Sequence, residues 1–273
     1  MKISGKTQVY ALLGDPVAHS LSPLMQNGWI EDHGLDAVYV AVPLKTNAAV
    51  AAIRALKSYG FKGANVTVPH KEAAAAAADR REAQVANVLR WEDDGSVSAF
   101  NTDGPGFLDA LTDAAPDWRT RVQRVLMVGA GGGAQAIART LSPHVATVHF
   151  INRTGARADA AALAIPNGRT LRWDDLERGF GAADLMVQAT SLGMAGNEDI
   201  EWPVANLRAG AIVADIVYRP LKTGLLRAAH ERGLVTVDGL GMLIYQGARS
   251  FEHWFGVMPD VAKARARLTA ALG

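Results

Sequence analysis

Apolar, β-branched runs alternate along this chain with stretches of helical periodicity. Residues 9–13 read as a strand that stops at Gly14, Asp15 and Pro16, and Ser22 with Pro23 then form an N-cap and first-turn pair for a helix ending near Gly34. Residues 37–42 are the next strand, and residues 48–59 an amphipathic helix stopped by Gly60. In residues 63–68, Val66 and Val68 alternate with Asn65 and Thr67, which predicts a strand with one apolar and one hydrogen-bonding face, ended by Pro69. Lys71 and an alanine-rich helix follow, so an ammonium stands where strand turns into helix, the position at which ligands bind in an open α/β sheet. Asp93, Asp94 and Gly95 mark a hairpin. Beyond a polar segment at residues 116–121, which reads as a separator, strands are expected at 125–128, 147–151, 185–189, 212–216 and 234–237, with a helix at 224–232 and two final helices split by Pro259. The pattern is that of an α/β chain with mostly parallel sheet.

A length of 273 residues favours about two domains. The net charge is +1 with both signs interspersed, so neither nucleic acid nor an anionic membrane is expected as a partner, and a small molecule is. With no cysteine there is no disulfide, thiolate metal site or cysteine nucleophile. The polar opening, residues 1–6, reads as neither signal peptide nor membrane span, and a cytoplasmic protein is expected. No grouping of His, Asp and Glu has metal-ligand spacing, so no metal is expected.

The second half carries a cofactor motif. Gly129, Ala130, Gly131, Gly132, Gly133 and Ala134 follow a strand and precede a helix, matching the G-x-G-x-x-A form of the dinucleotide fingerprint. Gly129 permits the tight turn, Gly131 lets backbone approach a pyrophosphate, and Ala134 lets helix and strand pack closely. The phosphates then sit on the helix N-terminus. After the next strand, where NAD-binding folds place a carboxylate for the ribose hydroxyl, the chain has Asn152, Arg153 and Thr154, with Arg157 one turn on. A guanidinium pairs with phosphate, so NADP is the expected cofactor. The plainer alternative is a loop with two solvated arginines.

Together these motifs resemble those of the shikimate dehydrogenase family. The resemblance is carried by Gly14, Asp15, Pro16 leading to His19, Ser20, Leu21, Ser22, Pro23; by Asn65, Thr67, Lys71; and by Asn101, Thr102, Asp103, Gly104. It continues through the glycine turn, Asn152 to Thr154, the run Ala189, Thr190, Ser191, Leu192, Gly193, Met194, the segment from Asp215 to Pro220, and Gly239 through Met242, Leu243 and Gln246 to Trp254. It implies an N-terminal substrate-binding domain over residues 1–104, completed by residues 238–273, a Rossmann-type NADP-binding domain over 105–237, and a cleft between them. The implied activity is reversible, NADP-dependent reduction of 3-dehydroshikimate to shikimate, in aromatic amino acid biosynthesis. Lys71 and Asp103 are the implied catalytic pair. Ser20, Ser22, Asn65, Thr67, Asn87, Asp103, Tyr218 and Gln246 are implied to contact substrate. The implied cofactor residues are Gly129, Ala130, Gly131, Gly132, Gly133, Asn152, Arg153, Thr154, Arg157, Ile216 and Gly239.

These residue types suit the chemistry. Hydride delivered to a ketone leaves an alkoxide, which an adjacent ammonium such as Lys71 both stabilises and protonates. Asp103 can orient that lysine, although a turn role before Gly104 is the simpler alternative. Ser20 and Ser22 can donate to a carboxylate, though Ser22 can also be a helix cap alone. The chain departs from the family between Lys71 and Asn87, where Asp79, Arg80, Arg81 and Glu82 stand in a shortened segment. Val88 replaces a common threonine, Gln188 the usual asparagine and Gly247 a common alanine. Two other readings stay open: a quinate/shikimate dehydrogenase using NAD or both cofactors, and a noncatalytic NADP-binding regulatory relative. The oligomeric expectation is monomer or homodimer.

Overall fold

The computed structural model describes residues 2–81 and 83–272. Met1, Glu82 and Gly273, which fall in segments read above, lie outside the described residues. The chain divides into two compact units, one running to Thr102 and including Gln246–Ala271, the other Asp103–Tyr245.

The first unit holds β1 (Gln8–Gly14), α1 (Ser22–Asp32), β2 (Ala37–Pro43), α2 (Ala49–Ala55), β3 (Phe61–Val66), α3 (Lys71–Ala77), β4 (Arg80–Arg81), β5 (Val88–Trp91) and β6 (Val97–Phe100). Its six-stranded sheet has the order β2-β1-β3-β5-β6-β4. β1 is parallel to β2 and β3, β5 is antiparallel to β3 and β6, and β4 pairs parallel with β6. Leu13, Ile53, Val66, Ala74 and Leu89 share one buried cluster. Gly63 is required by packing: a Cβ there would lie 2.4 Å from Trp254 Nε1, whose N–H donates to the Leu89 carbonyl.

The second unit contains α4 (Asp103–Ala114), α5 (Trp118–Arg121), β7 (Arg124–Val128), α6 (Gly132–Leu141), β8 (Thr147–Ile151), α7 (Gly155–Leu163), β9 (Gly168–Thr170), α8 (Leu176–Ala182), β10 (Leu185–Gln188), β11 (Ile212–Asp215), α9 (Gly224–Glu231) and β12 (Val235–Val237). The division between units falls inside α10 (Gly239–Phe255), and α11 (Val261–Leu272) ends the chain. The strand order is β12-β11-β10-β7-β8-β9, with every pairing parallel. Because strand residues alternate faces, Val125, Met127, Leu185 and Val187 join one core and Leu126, Val128 and Met186 the other. This is the doubly wound arrangement expected from the sequence.

Several sequence expectations shift. Ser22 is not an N-cap: it is the first residue of α1, Leu21 occupies the cap, and no side chain caps the helix. The regular strand of the stretch from 63 ends at Val66 rather than at Pro69: Thr67 N–H still donates to the Leu13 carbonyl at 2.8 Å and Asp15 N–H to the Val68 carbonyl at 3.1 Å, while the Thr67 carbonyl accepts from His70 N–H, closing a turn. The helix expected over 48–59 is α-helical only through Ala55 and tightens to a 3-10 turn over Leu56–Tyr59 before Gly60, whose φ of 82° ends it. The polar segment 116–121 is no separator. Trp118 within it is fully buried and donates to Thr112 Oγ1 at 2.9 Å, tying α5 to α4. The two compact units divide at 102/103 and 245/246, and the sequence reading divides the chain at 104/105 and 237/238. Gly104 already packs on α6, where a Cβ would sit 2.0 Å from Thr140 Oγ1, and Gly239 on the end of β11, 2.3 Å from the Ile216 carbonyl oxygen.

Candidate active site

In the first unit the strand directions bring the implied substrate residues to one edge. β1 and β3 run parallel, so the loops carrying Ser20 and Ser22 and carrying Thr67 and Lys71 leave the sheet at the same end. They touch: a Cβ on Gly14 would lie 2.4 Å from Thr67 Cγ2. β5 is antiparallel, so its beginning, next to Asn87, lies at that end too, and β6, reversed again, finishes there at Asn101 and Thr102. The Lys71 carbonyl accepts from Ala86 N–H at 3.0 Å, which ties the start of α3 to the segment leading into Asn87.

Ser20 Oγ accepts from Ser22 N–H and donates to Ser22 Oγ, both at 3.2 Å, so the two hydroxyls face each other. Asn87 is buried. Its Oδ1 accepts from Thr102 N–H at 2.7 Å, which orients the amide, and its Nδ2 donates to Thr102 Oγ1 at 3.0 Å and Gln246 Oε1 at 3.3 Å. The Thr102 hydroxyl donates to the Gln246 carbonyl at 3.0 Å. Asn65 spends both amide hydrogens internally, on the Asn87 carbonyl at 3.0 Å and Ser250 Oγ at 2.9 Å, and accepts from Tyr39 O–H at 2.9 Å. It reaches a ligand only through a remaining acceptor lone pair. Of the two histidines beside the site, His70 is buried with Nε2 2.7 Å from the Leu44 carbonyl, and His19 is exposed.

In the second unit the order of strands reverses between β7 and β10, and the glycine turn sits at that point. Gly129 has φ 114°, and a Cβ there would be 2.7 Å from the Ala189 carbonyl oxygen, so only glycine fits. At Gly131 and Gly132 an added Cβ would meet nothing within 4 Å, and Gly131 caps α6 without a side-chain partner. An open backbone cradle at a helix N-terminus suits a pyrophosphate. Ala134 is fully buried, as close packing of α6 demands. After β8, Asn152 Nδ2 donates to the Thr154 carbonyl at 3.0 Å, while Arg153, Thr154 and Arg157 are exposed. Arg153 stands 3.8 Å from Glu198, a pair 70% and 84% exposed and therefore weak enough for a phosphate to displace. Ile216 and Tyr218 follow β11, with burial raising the Tyr218 phenol, and Gly239 opens α10 against Ile216. Asp103 is buried at the first position of α4, one peptide bond after the anchored Thr102.

Three family models match: the shikimate dehydrogenase substrate binding domain over residues 12–89, shikimate/quinate 5-dehydrogenase over 113–216 and the shikimate 5'-dehydrogenase C-terminal domain over 239–269. A shikimate dehydrogenase (NADP(+)) of Rhodospirillum rubrum is 42% identical over 273 residues, covering 96% of each chain. The chain belongs to the shikimate dehydrogenase family. Among solved structures, a shikimate dehydrogenase in complex with NADP+ matches with TM-score 0.91 at 34% identity, covering 100% of this chain and 98% of its own. A quinate dehydrogenase from Corynebacterium glutamicum in complex with NAD matches with TM-score 0.89 at 28% identity, covering 97% and 99%.

This shikimate dehydrogenase family member also has polar residues in and near the site that sequence reading left without a role. Thr102 lay inside a quoted motif, and its position between Asn101 and Asp103 was the available signal. Tyr39 and Ser250 gave none, since each looks like an ordinary strand or helix residue. Asp215 is a third case: its Oδ1 accepts from Val217 N–H at 2.9 Å and Gln188 Nε2 at 3.3 Å, and its Oδ2 from the Thr223 hydroxyl at 2.7 Å. It thereby holds the segment bearing Ile216 and Tyr218.

Burial pushes the Asp215 carboxyl up to about 6, assisted by the like charge of Asp199 and opposed by the hydrogen bonds it accepts. The folded chain thus keeps this proton to about pH 6, whereas the unfolded chain releases it near the ordinary value of 3.8. The stabilisation is fully present below the unfolded value and is lost as pH rises through the folded one. Stability of the wild type relative to Asp215→Asn should therefore increase by up to about 3 kcal/mol as pH falls from about 7.5 to about 4. Urea unfolding of both proteins across that range checks it, and parallel curves would refute it.

Proposed function

We propose that the chain carries out the reversible, NADP-dependent reduction of 3-dehydroshikimate to shikimate, a step of aromatic amino acid biosynthesis, with Lys71 and Asp103 as the catalytic pair. The observation that carries the reading is the gathering of Ser20, Ser22, Thr67, Lys71 and Asn87 at one end of the first unit's sheet. Such a set pairs with a carboxylate and several ring hydroxyls, and leaves an ammonium for the carbonyl that changes.

Ser20 and Ser22 donate to the substrate carboxylate. Asn65, Thr67, Asn87, Tyr218 and Gln246 serve the ring hydroxyls, and analogues lacking those groups are disfavoured because they forgo these hydrogen bonds. Lys71 stabilises the developing alkoxide and delivers its proton, while Asp103 orients the lysine and accepts from the neighbouring hydroxyl. The glycine turn, Gly129 to Gly133, holds the cofactor pyrophosphate; Asn152, Arg153, Thr154 and Arg157 hold the 2′-phosphate, and Ile216 and Gly239 complete the cofactor site. When bound, NADPH supplies the hydride.

Among the described residues no helix is long and apolar enough to cross a membrane. We place the protein in the cytoplasm, as a monomer or homodimer, with a small-molecule substrate. The test is a rate panel followed by the absorbance of reduced nicotinamide. Turnover should be fastest with shikimate and NADP. Faster turnover with quinate or NAD would favour the quinate-type reading, and binding without turnover the noncatalytic one.

A further inference from the structure

Behind the substrate edge of the first unit lies a hydrogen-bonded chain that touches no solvent at its ends: Tyr39 is 1% and Ser250 0% exposed. Donor direction is set along it. Tyr39 O–H gives to Asn65 Oδ1 at 2.9 Å, Asn65 Nδ2 gives to Ser250 Oγ at 2.9 Å and to the Asn87 carbonyl at 3.0 Å, and Ser250 O–H gives to the Gln246 carbonyl at 2.8 Å. Tyr39 belongs to β2, Asn65 to β3, Asn87 precedes β5, and Gln246 and Ser250 lie one turn apart on α10. The chain therefore links the backbone of both amides, Asn87 and Gln246, that the proposed function assigns to ring hydroxyls. Burial also keeps the Tyr39 phenol far above its ordinary range, so it remains a donor at any working pH.

We infer that Ser250 and Tyr39 are positioning residues for substrate recognition, acting through Asn65 to fix where the Asn87 and Gln246 amides stand. This rests on the reading of Gln246 and Asn87 as substrate contacts. Neither Ser250 nor Tyr39 is exposed enough to meet a ligand, and each removes one buried partner from Asn65 when truncated. The loss then reaches two groups at once, since Asn65 supports the Asn87 carbonyl beside Val66 N–H at 2.9 Å and Ser250 supports that of Gln246 beside the Thr102 hydroxyl at 3.0 Å; each carbonyl is loosened without being freed. Buried polar networks that are fully satisfied specify one geometry; a network missing one member relaxes into several.

The experiment is a double-mutant cycle in the full-length enzyme, with KM for shikimate, KM for NADP and kcat measured for wild type, Ser250→Ala, Gln246→Ala and the double variant. Ser250→Ala should raise KM for shikimate about tenfold, the range for a relaxed hydrogen-bonded contact, with KM for NADP and kcat within about twofold of wild type. In the Gln246→Ala background the same substitution should raise KM for shikimate by clearly less than in wild type, because one of the two groups it positions is gone. A purely structural role predicts independent, multiplying effects, or equal effects on both substrates, and either result overturns the inference. If Gln246→Ala alone leaves KM for shikimate unchanged, the substrate role of Gln246 fails, and the inference with it. If Gln246→Ala raises KM but Ser250→Ala does not, only the inference fails. Should Ser250→Ala not fold, Tyr39→Phe, which deletes one oxygen, takes its place in the same cycle with the same expected and refuting outcomes.

Discussion

Replacing Lys71 by alanine lowers kcat by at least about a hundredfold, the lower end for a positioned acid, with a much smaller change in KM. The asymmetry follows from what the ammonium meets. A ground-state ketone carries little negative charge, whereas the alkoxide formed on hydride delivery carries a full one, so the interaction is realised mainly in the transition state. Its placement supports this: Lys71 opens α3 immediately after the turn closed by Thr67 and His70, and its own carbonyl is tied to Ala86. The backbone at this position is thus fixed by the same segment that leads into Asn87. Steady-state kinetics with shikimate and NADP decide the matter, and an unchanged kcat removes Lys71 from the chemistry.

Arg153→Ala raises KM for NADP by about 10- to 100-fold and leaves KM for NAD within about twofold. The size is that of one charge-assisted hydrogen-bonded contact to phosphate. The direction comes from the end of β8, where no carboxylate follows the strand and Asn152, Arg153 and Thr154 stand instead. Glu198, 3.8 Å from Arg153, is the acidic neighbour the chain does supply, from the long segment after β10. Being widely exposed, that pair costs little to break and does not cancel the preference. Equal losses with the two cofactors would mean that Arg153 serves some part they share, and the 2′-phosphate assignment would fall.

Much of the fold was legible because the local chemistry was unambiguous. β7 is a continuous apolar run ended by glycines, and all its core residues are buried on both faces, so period and composition agree. Gly60 ends its helix at a positive φ, as a glycine after a periodic stretch should. Where reading failed, the deciding contact was remote. Ser22 has the composition of a cap, yet Leu21 occupies the cap position and Ser22, the first helical residue, faces Ser20. Residues 116–121 look solvated by count, but the single tryptophan among them is buried and draws the segment onto α4. The strands β4 and β9 went unseen because they are two and three residues long and no residue of either is buried, which leaves no pattern to read.

By itself the order of residues determined the alternation of strand and helix, the glycine turn and its missing carboxylate, and the family motifs, since each depends on neighbours within a few positions. Only the tertiary structure decided that Asn65 turns its amide inward, that Thr102, Ser250 and Tyr39 hold the groups around it, and that Asp215 gathers three segments. Those outcomes rest on side chains up to 185 residues apart, as Asn65 and Ser250 are, satisfying one another's hydrogen bonds in a place water cannot reach. Local pattern records which residues are polar; their partners are chosen when the sheet edges and α10 come together.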